Sequence, residues 1–464
     1  MRTVRTCVLA AVATSALLLA GCTPASDEDG GGGDDQLLIW TVEDIAERVE
    51  VQQALLDAYA EENELEIELV ALAEDQLSTV LASAAASNEL PDAIAAVSLN
   101  AVNQLNNDGV LDPAAAEAIV ESLGADTFSE RALELTQSDG TQLSVPSDGW
   151  AQLLFYRTDL FEAAGLDVPN TYEAITEAAT TLQSPEVAGI VAATAPADSF
   201  TQQTFEHFAL ANDCQLVNDE GDILLDSPEC VESIDFYTNL ITQGSVAGNQ
   251  DADTTRATYF AGGAGMVVWS SFLLDELAGL RNDALPTCPQ CAADPGFLAA
   301  NTGVVSAIEG PGGSEPASFG EIVSWAVLTG ASEETRGLVE HMMGDAYLDW
   351  LAQAPEGKVP TRLGTADDPT AFVDGWLELE AGVDAKAQLS SVFGEETLAA
   401  VLDSPNSFDR WGIPQGYGGL AGAVGSQFVL PGVLSETINS GTSAEDAAGQ
   451  AAEEATTIKQ DLGL

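Results

Sequence analysis

The chain predicts an α/β protein, and three observations carry that prediction. Short apolar strand runs alternate with helical patterns, the helical patterns place apolar residues three and four apart, and the length of 464 residues suggests two domains. Leu37-Leu38-Ile39-Trp40 is a buried-strand run, and a helical pattern follows at Ile45, Val49, Leu56 and Tyr59. Glu66 to Leu72 alternates as a strand, with Ile67 and Leu69 set against Glu66 and Glu68. Leu77, Val80, Leu81 and Ala84 return to helical spacing, and Pro91 to Val97 is a further strand. This order predicts a largely parallel sheet whose ligands sit beyond the carboxyl ends of the strands. There is no internal repeat, and Gly262-Gly263-Ala264-Gly265 lacks the lysine and preceding strand of a phosphate cradle.

The amino terminus predicts a compartment. Arg2 and Arg5 precede an apolar run from Cys7 to Ala20, too short to span a bilayer and typical of a secretory signal. It closes on Leu19-Ala20-Gly21-Cys22, which resembles the bacterial lipobox. The resemblance implies a signal peptide over 1–21, cleavage before Cys22 and acylation of its thiol. Residues 22–35 then form the lipidated cysteine and an acidic, glycine-rich tether. Its 13 residues after the cysteine would reach roughly 20 Å as a flexible coil. No later stretch is long and apolar enough to be transmembrane.

Composition excludes some partners. The formal net charge is −62, from 13 basic and 75 acidic residues. Such a chain is repelled by nucleic acid and by anionic lipid headgroups, so membrane contact is expected through the lipid alone. The scattered acids fit adaptation to high salt, where screening removes their mutual repulsion, or a lineage-wide bias unrelated to function. Beyond Cys7 and Cys22, four cysteines remain. In an exported protein Cys214, Cys230, Cys288 and Cys291 read as disulfides, with three possible connectivities. Cys214 and Cys230 flank a turn-forming excursion that a bridge closes naturally, and Cys288 and Cys291 could then pair. A structural zinc site needs two close cysteine pairs, and only one exists. No cofactor or metal is called for.

Five sequence blocks occur in an order that resembles the sugar-binding class of ABC-importer solute-binding proteins, the class of the maltose-binding proteins. They are Asn88-Glu89-Leu90-Pro91-Asp92; Val145-Pro146 with Leu154 to Phe161 and Gly165 to Thr171; Phe260 to Phe272; Ile322 to Leu328 with Gly357 to Arg362; and the final helical pattern, Leu434 to Leu462. Arg157, Gly265 and Ser270 depart from the class pattern. The resemblance covers essentially the whole mature body. It implies a two-lobed periplasmic-binding-protein-like fold, each lobe a mostly parallel sheet flanked by helices. Lobe 1 is expected at 36–148 plus 308–355, and lobe 2 at 149–307 plus 356–464. Three inter-lobe crossings fall near Ser147–Trp150, Val304–Glu309 and Leu351–Arg362. It further implies a monomeric extracytoplasmic receptor, on the outer face of the cytoplasmic membrane, that delivers a carbohydrate to the permease subunits of an ABC importer.

A pyranose offers an apolar C–H face and a rim of hydroxyls, so its pocket wants flat aromatic surfaces and hydrogen-bonding side chains. The candidates are Trp40 and Glu43 at the end of the first strand, and Asp148 and Trp150 in the first crossing. Trp269, Ser270, Ser271 and Phe272 follow the strand after Met266, with Phe272 matching a position where the class stacks an aromatic on sugar. Trp325, Trp411 and Tyr417 complete the set. Tryptophan more often packs than binds, and Trp350, Trp376, His207 and His341 read as packing. Two other functions stay open. Tryptophans with acids also suit a quaternary ammonium osmolyte. A glycosidase needs two placed carboxylates, and the chain lacks G-x-S-x-G, H-E-x-x-H and a catalytic Cys–His pair. An enzyme is therefore not expected.

Overall fold

The computed structural model describes residues 36–464 apart from Asn88. The signal peptide, Cys22 and the tether lie outside the described residues.

The first half-lobe follows the alternation read from the sequence. β1 (Gln36–Thr41) is buried along most of its length, as a strand covered on both faces must be. α1 (Ala46–Asn63) carries the chain to β2 (Glu66–Ala71), which lies parallel to β1 with Ile39 opposite Leu69. β2 is the sheet edge, and its exposed glutamates alternate with half-buried apolar residues. α2 (Leu77–Ser87) leads to β3 (Ala93–Ser98), parallel to the other side of β1. α3 (Leu99–Asn107) starts directly from β3 and is capped by Ser98, whose hydroxyl accepts from Ala101 N.

The centre of the molecule is β4 (Val145–Arg157), a strand of 13 residues that changes partners along its length. Val145 to Ala151 pair antiparallel with β7 (Ser318–Val327), whereas Gln152 to Arg157 pair with β5 (Met266–Ser270) and β6 (Thr302–Val305). Between β4 and these partners lie α4 (Ser199–Leu210), α5 (Pro228–Gly244) and α6 (Ala252–Phe260). β5 (Met266–Ser270) is followed by the short α7 (Leu273–Leu277), then by β6 (Thr302–Val305) and β7 (Ser318–Val327). α8 (Tyr347–Leu351) precedes β8 (Val359–Pro360), which pairs with Asp148 and Gly149 of β4. β9 (Phe408–Asp409) pairs with β7, and α9 (Gly418–Ser426), α10 (Val429–Ser440) and α11 (Ala444–Leu462) end the chain.

The two-lobed architecture is the expected one, but the sheet is mixed rather than mostly parallel. Among the strands of the described residues, β2, β1 and β3 and the β7–β9 pair run parallel; β3, β4, β5, β6 and β8 meet their other neighbours antiparallel. The crossing strands β4 and β7 run in opposite directions between the lobes, so they pair antiparallel along Val145 to Ala151. In the second lobe parallel pairing survives as single bridges, Ala188 to Ala264 and Val191 to Val267.

One buried core takes the face of β4 that carries Leu153 and Phe155 and includes Trp325, Trp350 and Trp376; a second, on the face that carries Leu154, gathers Phe205, Phe208, Tyr237 and Trp411 under α10 and α11. Disulfides join Cys214 to Cys230 and Cys288 to Cys291. His207 is buried on α4, where its Nδ1 accepts from Phe319 N at 3.2 Å. Loss of solvation pushes that imidazole down to about 3. Among the described residues no single helix is long and apolar enough to cross a membrane.

Candidate functional site

Where β4 changes partners the lobes face each other across a cavity of about 420 Å³. Its wall draws on the turn after β1 (Val42, Glu43), on Arg48 of α1, on the β3–α3 junction and on β4, with Phe272, Gly357, Lys358 and Arg410 opposite. This is the carboxyl end of β1 and β3, where an α/β sheet presents its ligands.

Two aromatic surfaces line it. Trp150 is half-buried and leans on Phe319 with ring centroids 5.8 Å apart. Phe272 lies so close to Gly357 that a Cβ there would come within 1.9 Å of Phe272 Cζ, so only glycine lets the third crossing pass. The Arg48 guanidinium sits 5.6 Å from the Phe272 centroid.

The polar groups form paired networks. Both oxygens of Glu43 accept from Arg48, at 3.1 and 3.0 Å. Asp148 is 1 % exposed, and its Oδ2 accepts from Ser147 Oγ at 2.7 Å and Trp350 Nε1 at 2.8 Å. Lys358 Nζ lies 3.4 Å from Asp148 Oδ1 and 3.9 Å from Glu43 Oε2, with the Trp350 ring 4.8 Å away. On the far side Glu321 Oε1 accepts from Leu99 N at 2.8 Å, a carboxylate placed at the positive end of α3. Its other oxygen pairs with Arg410, whose guanidinium lies 4.5 Å from the Phe319 centroid. Glu206 stands 3.7 Å behind Arg410 and accepts from Trp411 N; burial raises its carboxyl above the ordinary range, and Arg410 opposes that shift.

Backbone strain marks the same wall. Ala96 adopts φ +61°, at a register shift between β3 and β7, and it lines the cavity. A left-handed residue other than glycine is held only by its surroundings, and such residues gather at binding sites. A second cavity, of about 440 Å³, shares Glu74, Ser98 and Asn100 with the first. It continues between α2, α3 and the glycine-rich face of α9. The buried side-chain oxygen of Asn100, at the junction of the two, has no partner among the described residues.

Of the residues singled out in the sequence, the cavity brings together Glu43, Asp148, Trp150 and Phe272. The others lie elsewhere. Trp40 is packed against Leu77 and Leu81 in the core beneath α2. Trp269 is turned toward α6, donating to Ala252 O at 3.0 Å with Arg256 over its ring. Ser270 is spent on pairing with Gln152, and Ser271 is fully buried, its amide bonded to Ala151 O. Trp325 is buried against Trp350, and Trp411 donates to Cys214 O at 2.7 Å inside the second core. Tyr417 lies beneath Lys459 and against Gly221. The cavity residues that sequence reasoning passed over are chiefly Arg48, Lys358 and Arg410. With only 13 basic residues in the chain, the rarity of cations was the available signal.

Two lobes joined by crossing strands, with a polar cavity flanked by aromatic faces between them, define a receptor for a small solute. The chain belongs to the bacterial extracellular solute-binding protein family, whose model matches residues 45–284. This is a family of binding proteins, not of enzymes. YcjN of Escherichia coli (strain K12), a candidate ABC transporter periplasmic-binding protein, is 24 % identical over 406 residues, covering 84 % of this chain and 87 % of YcjN. Among solved structures, the cyclic alpha-maltosyl-1,6-maltose binding protein of Arthrobacter globiformis aligns with a TM-score of 0.68 at 19 % identity, covering 92 % of this chain and 100 % of the other. The extracellular solute-binding protein of Staphylococcus aureus, solved with maltose, aligns with a TM-score of 0.66 at 14 % identity, covering 93 % of this chain and 99 % of the other.

Proposed function

We propose that this protein is a lipid-anchored receptor that captures a carbohydrate between its lobes and hands it to the permease of an ABC importer. The observation that carries the reading is the pairing of two aromatic surfaces, Trp150 and Phe272, with a wall of hydrogen-bonding side chains in one inter-lobe cavity. Continuity with the second cavity through Asn100 favours an oligosaccharide, a chain of rings extending toward α9. The sugars bound by the Arthrobacter and Staphylococcus proteins support the same class of ligand. Asp148 serves to hold Lys358 and Trp350 in place, while Glu43, Glu321 and Gln203 offer acceptors to hydroxyls. We assign lobe 1 to 36–148 plus 308–355 and lobe 2 to 149–307 plus 356–464. Closure rotates the lobes about the crossings, with a few crossing residues absorbing the change. Acylation of Cys22 anchors the monomer to the outer face of the membrane, and the acidic body stays off the headgroups.

A thermal-shift screen of mono- and oligosaccharides, with glycine betaine included, tests the ligand class. Trp150→Ala and Phe272→Ala should each weaken the best hit tenfold or more, a loss of at least ~1.4 kcal/mol. Small-angle scattering should show a smaller radius of gyration with the ligand bound. A shift by betaine alone removes the carbohydrate assignment, and binding without compaction removes the closure mechanism.

A further inference from the structure

Four of the nine residues of α9 are glycines, at 418, 419, 422 and 425. None of them has a left-handed φ, so backbone conformation requires glycine at none of the four. Packing explains Gly418, where a Cβ would stand 2.9 Å from Ile413 Cδ1 and 3.1 Å from Asn103 Cβ. Packing does not explain Gly419 or Gly422. Among the described residues, nothing beyond the neighbouring helix backbone lies within 4 Å of the place their Cβ would take. Gly422 moreover lies in the helix interior, where glycine forms helix about fourfold less readily than alanine. The two glycines are three positions apart, hence on one side of α9, and both line the second cavity of about 440 Å³.

The rest of that cavity is unlike the first. Leu77 and Leu81 of α2 and Leu105 of α3 supply its apolar surface, and no aromatic ring lines it among the described residues. Its polar residues Glu74, Ser78, Gln104 and Asn107 are exposed, on the solvent side. Ser98 Oγ is spent on capping α3, accepting from Ala101 N at 3.4 Å. The buried side-chain oxygen of Asn100, which has no donor among the described residues, is left at the junction with the first cavity.

Such a wall selects among sugars. A hexose with its full set of hydroxyls would lose water from several of them here and find one free acceptor inside, and a buried hydroxyl without a partner is costly. A 6-deoxyhexose carries a methyl where a hexose carries a hydroxymethyl. Its methyl and ring C–H face suit the leucines and a bare helix backbone, and one hydroxyl can donate to Asn100. We propose, resting on the carbohydrate reading of the first cavity, that the second cavity seats the far end of the ligand, that Gly419 and Gly422 keep the α9 backbone bare for it to lie on, and that this end is a sugar unit of the 6-deoxyhexose class.

Titration calorimetry on the full chain tests this with glucose, galactose and mannose, their α- and β-linked disaccharides, and the 6′-deoxy counterpart of each disaccharide. The 6′-deoxy member of the best pair should bind about tenfold more tightly than its parent. Gly422→Leu fills the second cavity, so it should weaken that ligand tenfold or more and level the pair. Gly425→Leu, on the same helix with the same open space at its Cβ but outside the cavity wall, should change neither. Without any ligand, Gly422→Ala should raise the folding equilibrium constant in urea about fourfold, because nothing in the chain uses the bare backbone. If Gly422→Leu does not fold, Gly419→Leu carries the comparison. Equal binding within every pair, affinity unmoved by the leucine variants at 419 and 422, or a loss of stability in Gly422→Ala overturns the proposal. Binding of monosaccharides with no gain from any disaccharide overturns it while the carbohydrate reading stands. A panel in which no sugar binds removes both.

Discussion

Removing the carboxylate of Asp148 tests how the crossing strand is held at the cavity. The group is 1 % exposed, accepts from Ser147 Oγ and Trp350 Nε1 at 2.7 and 2.8 Å, and faces Lys358 Nζ at 3.4 Å. Lys358 is itself 4 % exposed, and its only other carboxylate among the described residues is Glu43, 3.9 Å away. Asp148→Ala leaves an ammonium buried with one distant partner and an indole N–H with no acceptor. Breaking one side of a buried pair costs ~3–5 kcal/mol. The orphaned indole would add ~1–3 kcal/mol, and Glu43 together with local rearrangement offsets part of the total. The expected loss is ~4 kcal/mol. Lys358→Met removes the charge that needs a partner, so Asp148→Ala in that background should cost less than in the wild type by ~2 kcal/mol. Asp148→Asn, which keeps an acceptor for the indole, should fall between. Urea denaturation reads the differences as shifts in midpoint at constant slope. A loss below ~1 kcal/mol for Asp148→Ala, or strict additivity with Lys358→Met, would refute the reasoning.

Two further outcomes follow from groups remote from the cavity. His207 is held near 3, below its unfolded value, so the unfolded chain takes up the proton first and stability falls as pH drops below ~6.5. From there to pH ~4.5 the loss is on the order of 2 kcal/mol, and His207→Asn, which keeps an acceptor for Phe319 N, should remove it from the pH profile of thermal unfolding; parallel profiles would count against the assignment. Opening the Cys214–Cys230 bridge by a double serine substitution should cost ~3 kcal/mol in the chain-entropy model, and opening Cys288–Cys291, which closes a shorter loop, should cost less; calorimetry with the order reversed would contradict that account.

The first four elements were legible because their periods are unambiguous: alternation in Glu66 to Ala71, and threes and fours in the helices on either side. The central strand was not. Val145 to Arg157 contains Pro146 and Gly149, residues that ordinarily interrupt a strand. The structure keeps the strand whole by a register shift between Pro146 and Asp148, so the missing ladder donor falls at an irregularity. From that strand came the antiparallel character of half the sheet, which no local pattern announced. The tryptophans were legible as important but not as to where their rings point. Trp40 and Thr41 are successive residues of β1, both buried, and nothing local tells which side of the sheet meets the cavity and which meets α2.

The cavity's cations were illegible for a different reason, and it bears on how the site works. Long charged side chains normally stay in water, so Arg48, Lys358 and Arg410 read as surface. Each is instead matched to an acid in the folded chain, over separations of 5, 210 and 89 positions for Glu43, Asp148 and Glu321. The pairs of Lys358 with Asp148 and of Arg410 with Glu321 exist only once the chain's crossings bring those distant segments together. Desolvating such pairs costs more than an apolar wall of the same volume, so their presence calls for orientation as the reason. Each charged side chain of the network is paired before a ligand arrives, so the neutral, hydroxyl-rich solute proposed above would meet preset acceptors without bringing a charge that breaks a pair. Among the described residues most exposed acids lack a basic partner, Glu134, Asp253, Asp283 and Glu333 being exceptions, and their mutual repulsion is screened within ~3 Å at molar salt, whereas the buried pairs are screened far less. Salt thus acts on the stability of the acidic body and leaves the electrostatics of the cavity largely as they are.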